Sequence, residues 1–298
     1  MKLLILGRDG QVGTALTQLL APLGEIVALG RDGADLARPE GLGAIIDREH
    51  PDVIVNAGAY TAVDKAESEP ELARLVNAAA PAALAAAAAA SGAWLIHYST
   101  DYVFDGEKTA PYVEDDDTAP LNVYGATKRA GELAVAEAGA RHLIFRTSWV
   151  HAPGRSNFAA KILSLAQSRD ELRVIDDQIG APTSARLIAE ITRRAIEQIE
   201  RQRPLESGIY HLAAAGETSW HGYARYVVDA ALQRGVPLRT SLERIVPVPS
   251  SAFPSPARRP HNSRLSTHKL RRALGIDLPD WPDDVQGTLD ALLPEPTR

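Results

Sequence analysis

The stretch KLLILGRDGQVGTALTQLL (Lys2–Leu20) decides the fold. It opens on a short apolar run, KLLIL, stopped by Gly7, and such a run reads as a buried strand. Val12, Ala15, Leu16, Leu19 and Leu20 then recur at helical spacing and share one face. Between strand and helix stand Gly7, Gly10 and Gly13 in a GxxGxxG pattern. Glycine lets a turn tighten and lets the backbone approach a ligand. The helix start beyond it presents N–H groups without intrahelical partners, which suits a pyrophosphate. The spacing is a looser relative of the GxGxxG dinucleotide fingerprint, and the flanking strand and helix are the context which that fingerprint requires.

The same alternation continues outward. EIVAL (25–29), DVIVN (52–56), AWLIHYS (93–99) and HLIFRTS (142–148) read as further buried strands. PEGLGAIIDRE and SEPELARLVN open helices at Pro39 and Pro70, and AAAPAALAAAAAAS (Ala78–Ser91) reads as a helix with Pro81 in its first turn. Strands alternating with helices imply right-handed crossovers and a parallel sheet covered on both faces. The expected fold is therefore α/β: a Rossmann-type doubly wound parallel sheet over residues 1–150, with a smaller, discontinuous substrate domain over most of 151–298. The chain is expected to return to the first domain near 184–213. Helices are expected at about 155–168, 184–203 and 218–235, with short strands at ELRVID and GIYHLA. VPVPSSAFPSPARRPHNSRL reads as an ordered loop, and the acidic run VEDDDTAP (113–120) as a solvated one.

Composition narrows the function. The 298 residues carry a net charge of −6, which argues against a broad basic face for nucleic acid. There is no cysteine, hence no disulfide, thiolate metal site or cysteine nucleophile. The apolar run before Gly7 is too short for a signal-peptide core. Outside the alanine run no stretch of about 18 apolar residues exists, so no membrane span and a cytoplasmic location are expected. No local metal-ligand motif is present.

In open parallel sheets ligands bind at the carboxyl ends of the strands. After the second strand come Gly30, Arg31 and Asp32. Arg31 is placed to meet a 2′-phosphate and favours NADPH; Asp32 leaves NADH open. NAGAYTAVDKAE (56–67) follows the third strand with small residues suited to a backbone lying along a cofactor. HYSTDYVFDG (97–106) follows the fourth, with Ile96, Tyr98 and Thr100 pointing one way and His97 and Ser99 the other. LNVYGATKRAGE (121–132) then sets Tyr124 and Lys128 one helical turn apart. A free tyrosine, with a pKa near 10, donates poorly at neutral pH, and a nearby ammonium lowers that value. Gly125 and Gly131 weaken this helix by roughly 1 kcal/mol each relative to alanine. Val123, Ala126, Ala130 and Leu133 read as its apolar stripe, which puts Tyr124 and Lys128 on the flank.

Together these motifs resemble the extended short-chain dehydrogenase/reductase family. GRDGQVG, NAGAYTAVDKAE, YSTDYVFDG, APLNVYGATK, FRTSWV, DQIGAPT and PARRPHNSRL run in the order of its dTDP-4-dehydrorhamnose reductase branch. The resemblance implies reduction of the C4 ketone of a dTDP-sugar, with Tyr124 as proton donor, Lys128 as its partner and cofactor ligand, and Thr100 polarising the carbonyl. Asp101 and Trp149 would line the sugar pocket, and Arg258 and Arg259 are candidates for the nucleotide-diphosphate end. Gly7, Gly10, Gln11, Val12, Gly13, Asp35, Leu36, Ala59, Tyr60, Thr61 and Tyr98 would lie along the cofactor. Relatives often carry an acid where Gly30 stands and a tyrosine where His151 stands. Some relatives bind Mg2+ at a homodimer interface, and the sequence leaves both metal and dimer open. Two alternatives stand beside this reading: a reductase of another 4-keto-6-deoxy sugar nucleotide, and a non-catalytic nucleotide-binding regulatory subunit. Intact Thr100, Tyr124 and Lys128 speak against the second.

Overall fold

Strands built from Leu, Ile and Val without alternation need cover on both faces. The structure, a computed structural model, describes residues 1–154 and 157–295 and supplies that cover. In chain order the strands are β1 (Lys2–Leu6), β2 (Glu25–Leu29), β3 (Val53–Asn56), β4 (Trp94–Thr100), β5 (His142–Thr147), β6 (Val150–His151), β7 (Leu172–Ile175), β8 (Ile179–Gly180), β9 (Thr183–Ser184), β10 (Gly208–His211), β11 (Thr218–Ser219) and β12 (Ile245–Val248). The helices are α1 (Gln11–Leu19), α2 (Leu42–Glu49), α3 (Val63–Ala66), α4 (Pro70–Arg74), α5 (Ala80–Ser91), α6 (Val123–Glu137), α7 (Phe158–Ser168), α8 (Ala185–Glu200), α9 (Trp220–Gln233), α10 (His268–Leu274) and α11 (Trp281–Leu292).

Six strands form one sheet in the order β10-β5-β4-β3-β1-β2, and every neighbouring pair is parallel. The side-chain period of two divides its core. Leu3, Ile5, Val53, Val55 and Ile96 pack with Leu16 of α1 and Ile188 of α8. Leu4, Leu6, Ile54, Leu95 and Ile144 pack with Ile46 of α2, Leu84 of α5 and Val135 of α6. The chain leaves β1 toward β2 on one side and returns as β3 on the other, so the switch point lies between β1 and β3. Leu270 of α10 and Leu278 also join the first face, a return the sequence rhythm did not indicate.

The alanine-rich helix differs from its expected form. Helix runs continuously over Pro70–Ser91, with a π turn at Leu75–Ala79 between α4 and α5. Pro81 does sit in the first turn of α5. A proline ring clashes with the carbonyl four residues earlier and offers it no N–H, and the wider π turn absorbs this. Among the described residues this is the one helix long and apolar enough to cross a membrane, and half of its most apolar window is buried within the protein. Val76, Ala80, Leu84, Ala85 and Ala88 belong to the core against the sheet.

On the other side of the molecule α7, α9 and α11 enclose a separate core with β7 and β12. The proline-rich segment is ordered, but it opens with strand: Val246–Val248 belong to β12, which pairs with β7 in a two-stranded sheet where Pro247 can face an open edge. Its far end is pinned by Asn262, whose Nδ2 donates to the carbonyls of Lys108 (2.7 Å) and Ala110 (2.9 Å). The acidic run is a loop in which every residue is exposed or half-buried, as expected, and it is tied down at two points. Glu114 accepts the His211 N–H at 2.8 Å, and Asp116 pairs with Lys108. Of the helix expected at about 155–168, α7 covers 158–168; positions 155 and 156 lie outside the described residues.

Candidate active site

The turn after β1 leaves no room for side chains. Gly7 has φ +80, and a Cβ on it would stand 2.6 Å from the nitrogen of Gly58. A Cβ on Gly13 would stand 2.0 Å from the Gly7 carbonyl oxygen. Gly10 begins α1, and no side chain caps that helix, so its first N–H groups near Gln11 and Val12 remain free. The Gln11 Oε1 is buried without a partner. The loop after β3 lies against this turn, and Leu36 covers it: a Cβ on Gly58 would meet Leu36 Cδ1 at 2.5 Å. Asp35 Oδ1 accepts from Ala37 N at 3.0 Å. Ala59 is half-buried and Thr61 exposed in the same loop. Tyr60 is tied down, its hydroxyl donating to Glu69 at 2.6 Å and its N–H to Asn77 at 2.8 Å.

At the end of β2, Arg31 is exposed. Asp32 is engaged by a residue that the sequence reading passed over. Arg8, inside the glycine turn, donates to Asp32 at 3.2 Å and to the Ala28 carbonyl at 3.2 Å. The acid that left NADH open is thus paired with a guanidinium. The available signal was the place of Arg8 in GRDGQVG, one strand away from Asp32.

β4 and α6 bring Thr100, Asp101, Tyr124 and Lys128 to the carboxyl end of the sheet. Thr100 Oγ1 donates to Asp101 at 3.0 Å and accepts from Tyr102 N at 3.2 Å. Tyr124 packs edge-on against Tyr102, with ring centroids 5.6 Å apart. Burial pushes its phenol up to about 12; a hydrogen bond with Thr100 opposes the shift and Asp101 adds to it. Lys128 is 2% exposed, and its Nζ donates to the Tyr98 carbonyl at 2.6 Å. Burial brings it down to about 8, against the pull of Glu132. The expected lowering of the phenol by the ammonium is outweighed here by desolvation, and Lys128 is bonded to a main-chain oxygen.

The expected stripe on α6 is also corrected. Leu133 is 44% exposed, and Ala126 and Ala130 are exposed too. The buried face is Gly125, Thr127, Lys128, Gly131, Glu132 and Val135. The two glycines are points of close approach, since a Cβ would stand 2.1 Å from the Tyr102 oxygen at Gly125 and 2.2 Å from the Asn77 oxygen at Gly131. The polar residues between them have partners. Arg146 of β5, 1% exposed, grips Glu132 through Nε and a terminal nitrogen, both at 2.8 Å, and Arg129 adds a bond at 2.9 Å. A buried bidentate pair fixes the helix on the sheet. Neither Glu132 nor Arg146 stood out in the sequence, because a buried ion pair across elements has no local pattern.

The sugar-side residues fare unequally. Asp101 is 3% exposed, and burial raises it to about 6, with the Ser263 and Thr100 hydroxyls pulling the other way. Trp149 has φ +47 and stacks on Trp220, centroids 3.6 Å apart. Trp220 in turn donates to Gln178 at 3.2 Å. Trp220 was missed, for nothing in the sequence joins it to Trp149. A cleft of about 460 Å³ is lined by Gln178, Ser250, Phe253, Arg258, Arg259 and His261 among others. Arg258 is exposed there, but Arg259 is a strut: it donates to Asp64 at 2.8 Å and to the Ala257 carbonyl at 3.2 Å. The Tyr98 side chain points away from the site, its hydroxyl bonded to Thr192 of α8 at 2.7 Å within the core. His151 is buried against α11, with Nδ1 2.9 Å from Thr288 Oγ1. Among the described residues no group of three or more His, Asp or Glu is placed to hold a metal.

The chain matches the model of the RmlD substrate-binding domain family over residues 1–293. It is 50% identical over 296 residues to the dTDP-4-dehydrorhamnose reductase of Escherichia coli (strain K12), covering 98% of both chains. It is 52% identical over 286 residues to that of Burkholderia thailandensis, covering 94% of this chain and 95% of the other. The crystal structure of dTDP-4-dehydrorhamnose reductase from Bacillus anthracis in complex with NADP superposes with a TM-score of 0.86 at 30% identity, covering 96% of this chain and 98% of that one. A dTDP-4-dehydrorhamnose reductase from Clostridium acetobutylicum gives 0.88 at 32% identity over 98% and 99%. The chain belongs to the dTDP-4-dehydrorhamnose reductase family.

Proposed function

We propose that this chain reduces the C4 ketone of dTDP-4-dehydro-β-L-rhamnose to dTDP-L-rhamnose with NADPH. The observation that carries the reading is Thr100, Tyr124 and Lys128 gathered beside the switch point of a chain half identical to such reductases over its length. The residues of the turn fit a dinucleotide. Its walls at Gly7 and Gly13 leave only main chain, the start of α1 is uncapped, and Gln11 keeps a buried oxygen without a partner. Main-chain N–H groups there bind a pyrophosphate. Arg8 and Arg31 meet a 2′-phosphate, and the pairing of Asp32 with Arg8 favours NADPH over NADH.

NADPH supplies the hydride when bound. Thr100 hydrogen-bonds the ketone oxygen. Tyr124 enters fully protonated and gives its proton to that oxygen as alkoxide charge develops. Lys128 holds the nicotinamide ribose and, as an ammonium, favours the phenolate left behind. Asp101, Trp149 and the cleft beside Arg258 receive the dTDP-sugar. A cytoplasmic location belongs to this reading, since NADPH and nucleotide sugars are cytoplasmic metabolites.

The test is NADPH oxidation with dTDP-4-dehydrorhamnose, compared with NADH. Tyr124→Phe is expected to lower turnover by about 10²–10⁴-fold with NADPH affinity nearly unchanged. Wild-type turnover in that variant would overturn the assignment. Faster turnover of a different 4-keto-6-deoxy sugar nucleotide would move the substrate and keep the chemistry.

A further inference from the structure

The hydrogen bonds behind Lys128 have a fixed direction. The Gly58 main-chain N–H cannot reverse, and it donates to Asn56 Oδ1 at 3.2 Å. That turns Asn56 Nδ2 toward His97 Nδ1, 3.2 Å away. An amide nitrogen only donates, so Nδ1 accepts and the imidazole proton belongs on Nε2. His97 Nε2 lies 3.2 Å from Lys128 Nζ. An ammonium also only donates, and two donors do not share a bond. A neutral amine accepts from Nε2–H with its lone pair and still donates to the Tyr98 carbonyl.

The surroundings of the amine agree. β4 faces it with His97, which is 1% exposed and held well below its usual range by burial, so the imidazole is neutral whichever form Lys128 takes. β3 contributes Asn56 through His97. On its own helix stand Tyr124 and Glu132, and the carboxylate of Glu132 is already occupied by Arg146 of β5 and by Arg129. Burial of Lys128 acts in the same direction as the His97 contact.

We propose that His97 is a positioning residue for the reduction: its tautomer, fixed from Gly58 through Asn56, favours the neutral amine of Lys128 until cofactor binds. Gly58 lies in the switch-point loop against Gly7, where the cofactor is expected. When that loop turns its N–H elsewhere, the Asn56 amide is free to reverse. His97 then takes the Nδ1–H form, and Nε2 accepts from an ammonium. The net change is one proton taken from solvent onto Lys128. This inference rests on the cofactor reading above.

The experiment uses the whole chain with NADP+ as probe and no sugar. Above pH 8, nitrogen-15 NMR of His97 is expected to show the Nε2–H tautomer in the free protein and Nδ1–H with NADP+. Calorimetry in two buffers of different ionisation enthalpy is expected to show uptake approaching one proton per NADP+ above pH 8. Affinity falls about tenfold per pH unit over that same range. In His97→Asn, too short to present an N–H to Lys128, the fall begins at higher pH and uptake shrinks. An Nδ1–H tautomer in the free wild-type protein above pH 8, or binding there without proton uptake, overturns the proposal. So does a His97→Asn protein that binds more weakly with an unshifted pH profile. If that variant does not fold, the wild-type tautomer decides alone. Failure of the reductase assignment shows separately, as absent turnover with the tautomer change intact.

Discussion

The two ends of the candidate site are built by different means. The proposed cofactor end is walled by main chain: Gly7 packs on Gly58 and Gly13 on Gly7 with no space for a Cβ. The proposed sugar end is made of side chains drawn from distant segments: Asp101, Trp149, Gln178, Trp220 and Arg258. Recognition by main chain is written contiguously, because a turn must be tight over a few residues. Recognition by side chains is assembled only when the chain has folded.

The sharpest way to break this contrast is at the seam that both ends share. Glu132→Ala leaves Arg146 buried without its carboxylate, and losing one partner of a buried pair costs about 3–5 kcal/mol. Chemical unfolding should show that loss, with cofactor and sugar binding damaged together. Asp101→Asn tests the sugar end. Asp101 has its folded-state pKa raised above the unfolded value, so its ionisation opposes folding above about pH 6 and not below about pH 4. The variant should be more stable by up to about 3 kcal/mol at pH 8, a gain that vanishes as pH falls to 4. A pH-independent change in melting temperature would refute the cause given. Gly13→Ala attacks the cofactor end. Overpacking of about 1–3 kcal/mol predicts a tenfold to hundredfold weaker NADPH complex by fluorescence titration. Trp220→Ala removes the stack under Trp149, worth about 0.5–1.5 kcal/mol. It should raise KM for the sugar a few-fold and leave NADPH affinity alone. Equal damage to both would mean that the two ends are not separate.

The same contrast explains what was legible in the sequence. The sheet was readable because fully buried parallel strands are unbroken apolar runs, as KLLIL and DVIVN are. Tyr124, Lys128 and Thr100 could be singled out because the roles proposed for them rest on position after a strand and on helical spacing. The face of α6 was misread because its buried positions are glycine, lysine and glutamate, chosen for close approach and for Arg146. Arg8, Trp220 and His97 were passed over for a related reason. Their partners, Asp32, Trp149 and Asn56, lie on other elements, and no periodicity marks such pairs.

One amide has a mechanical consequence. Asn122 Oδ1 caps α6 by accepting the Gly125 N–H at 2.8 Å, while its Nδ2 holds the Arg258 carbonyl at 2.7 Å. The lip of the sugar cleft is therefore hinged directly on the first turn of the helix that carries Tyr124. A capping bond is worth about 1 kcal/mol. Drawing the lip outward pulls on that bond and loosens the helix start two residues before the phenol. The cleft lip and the first turn of α6 are thus joined through one side chain, like a lever and its load.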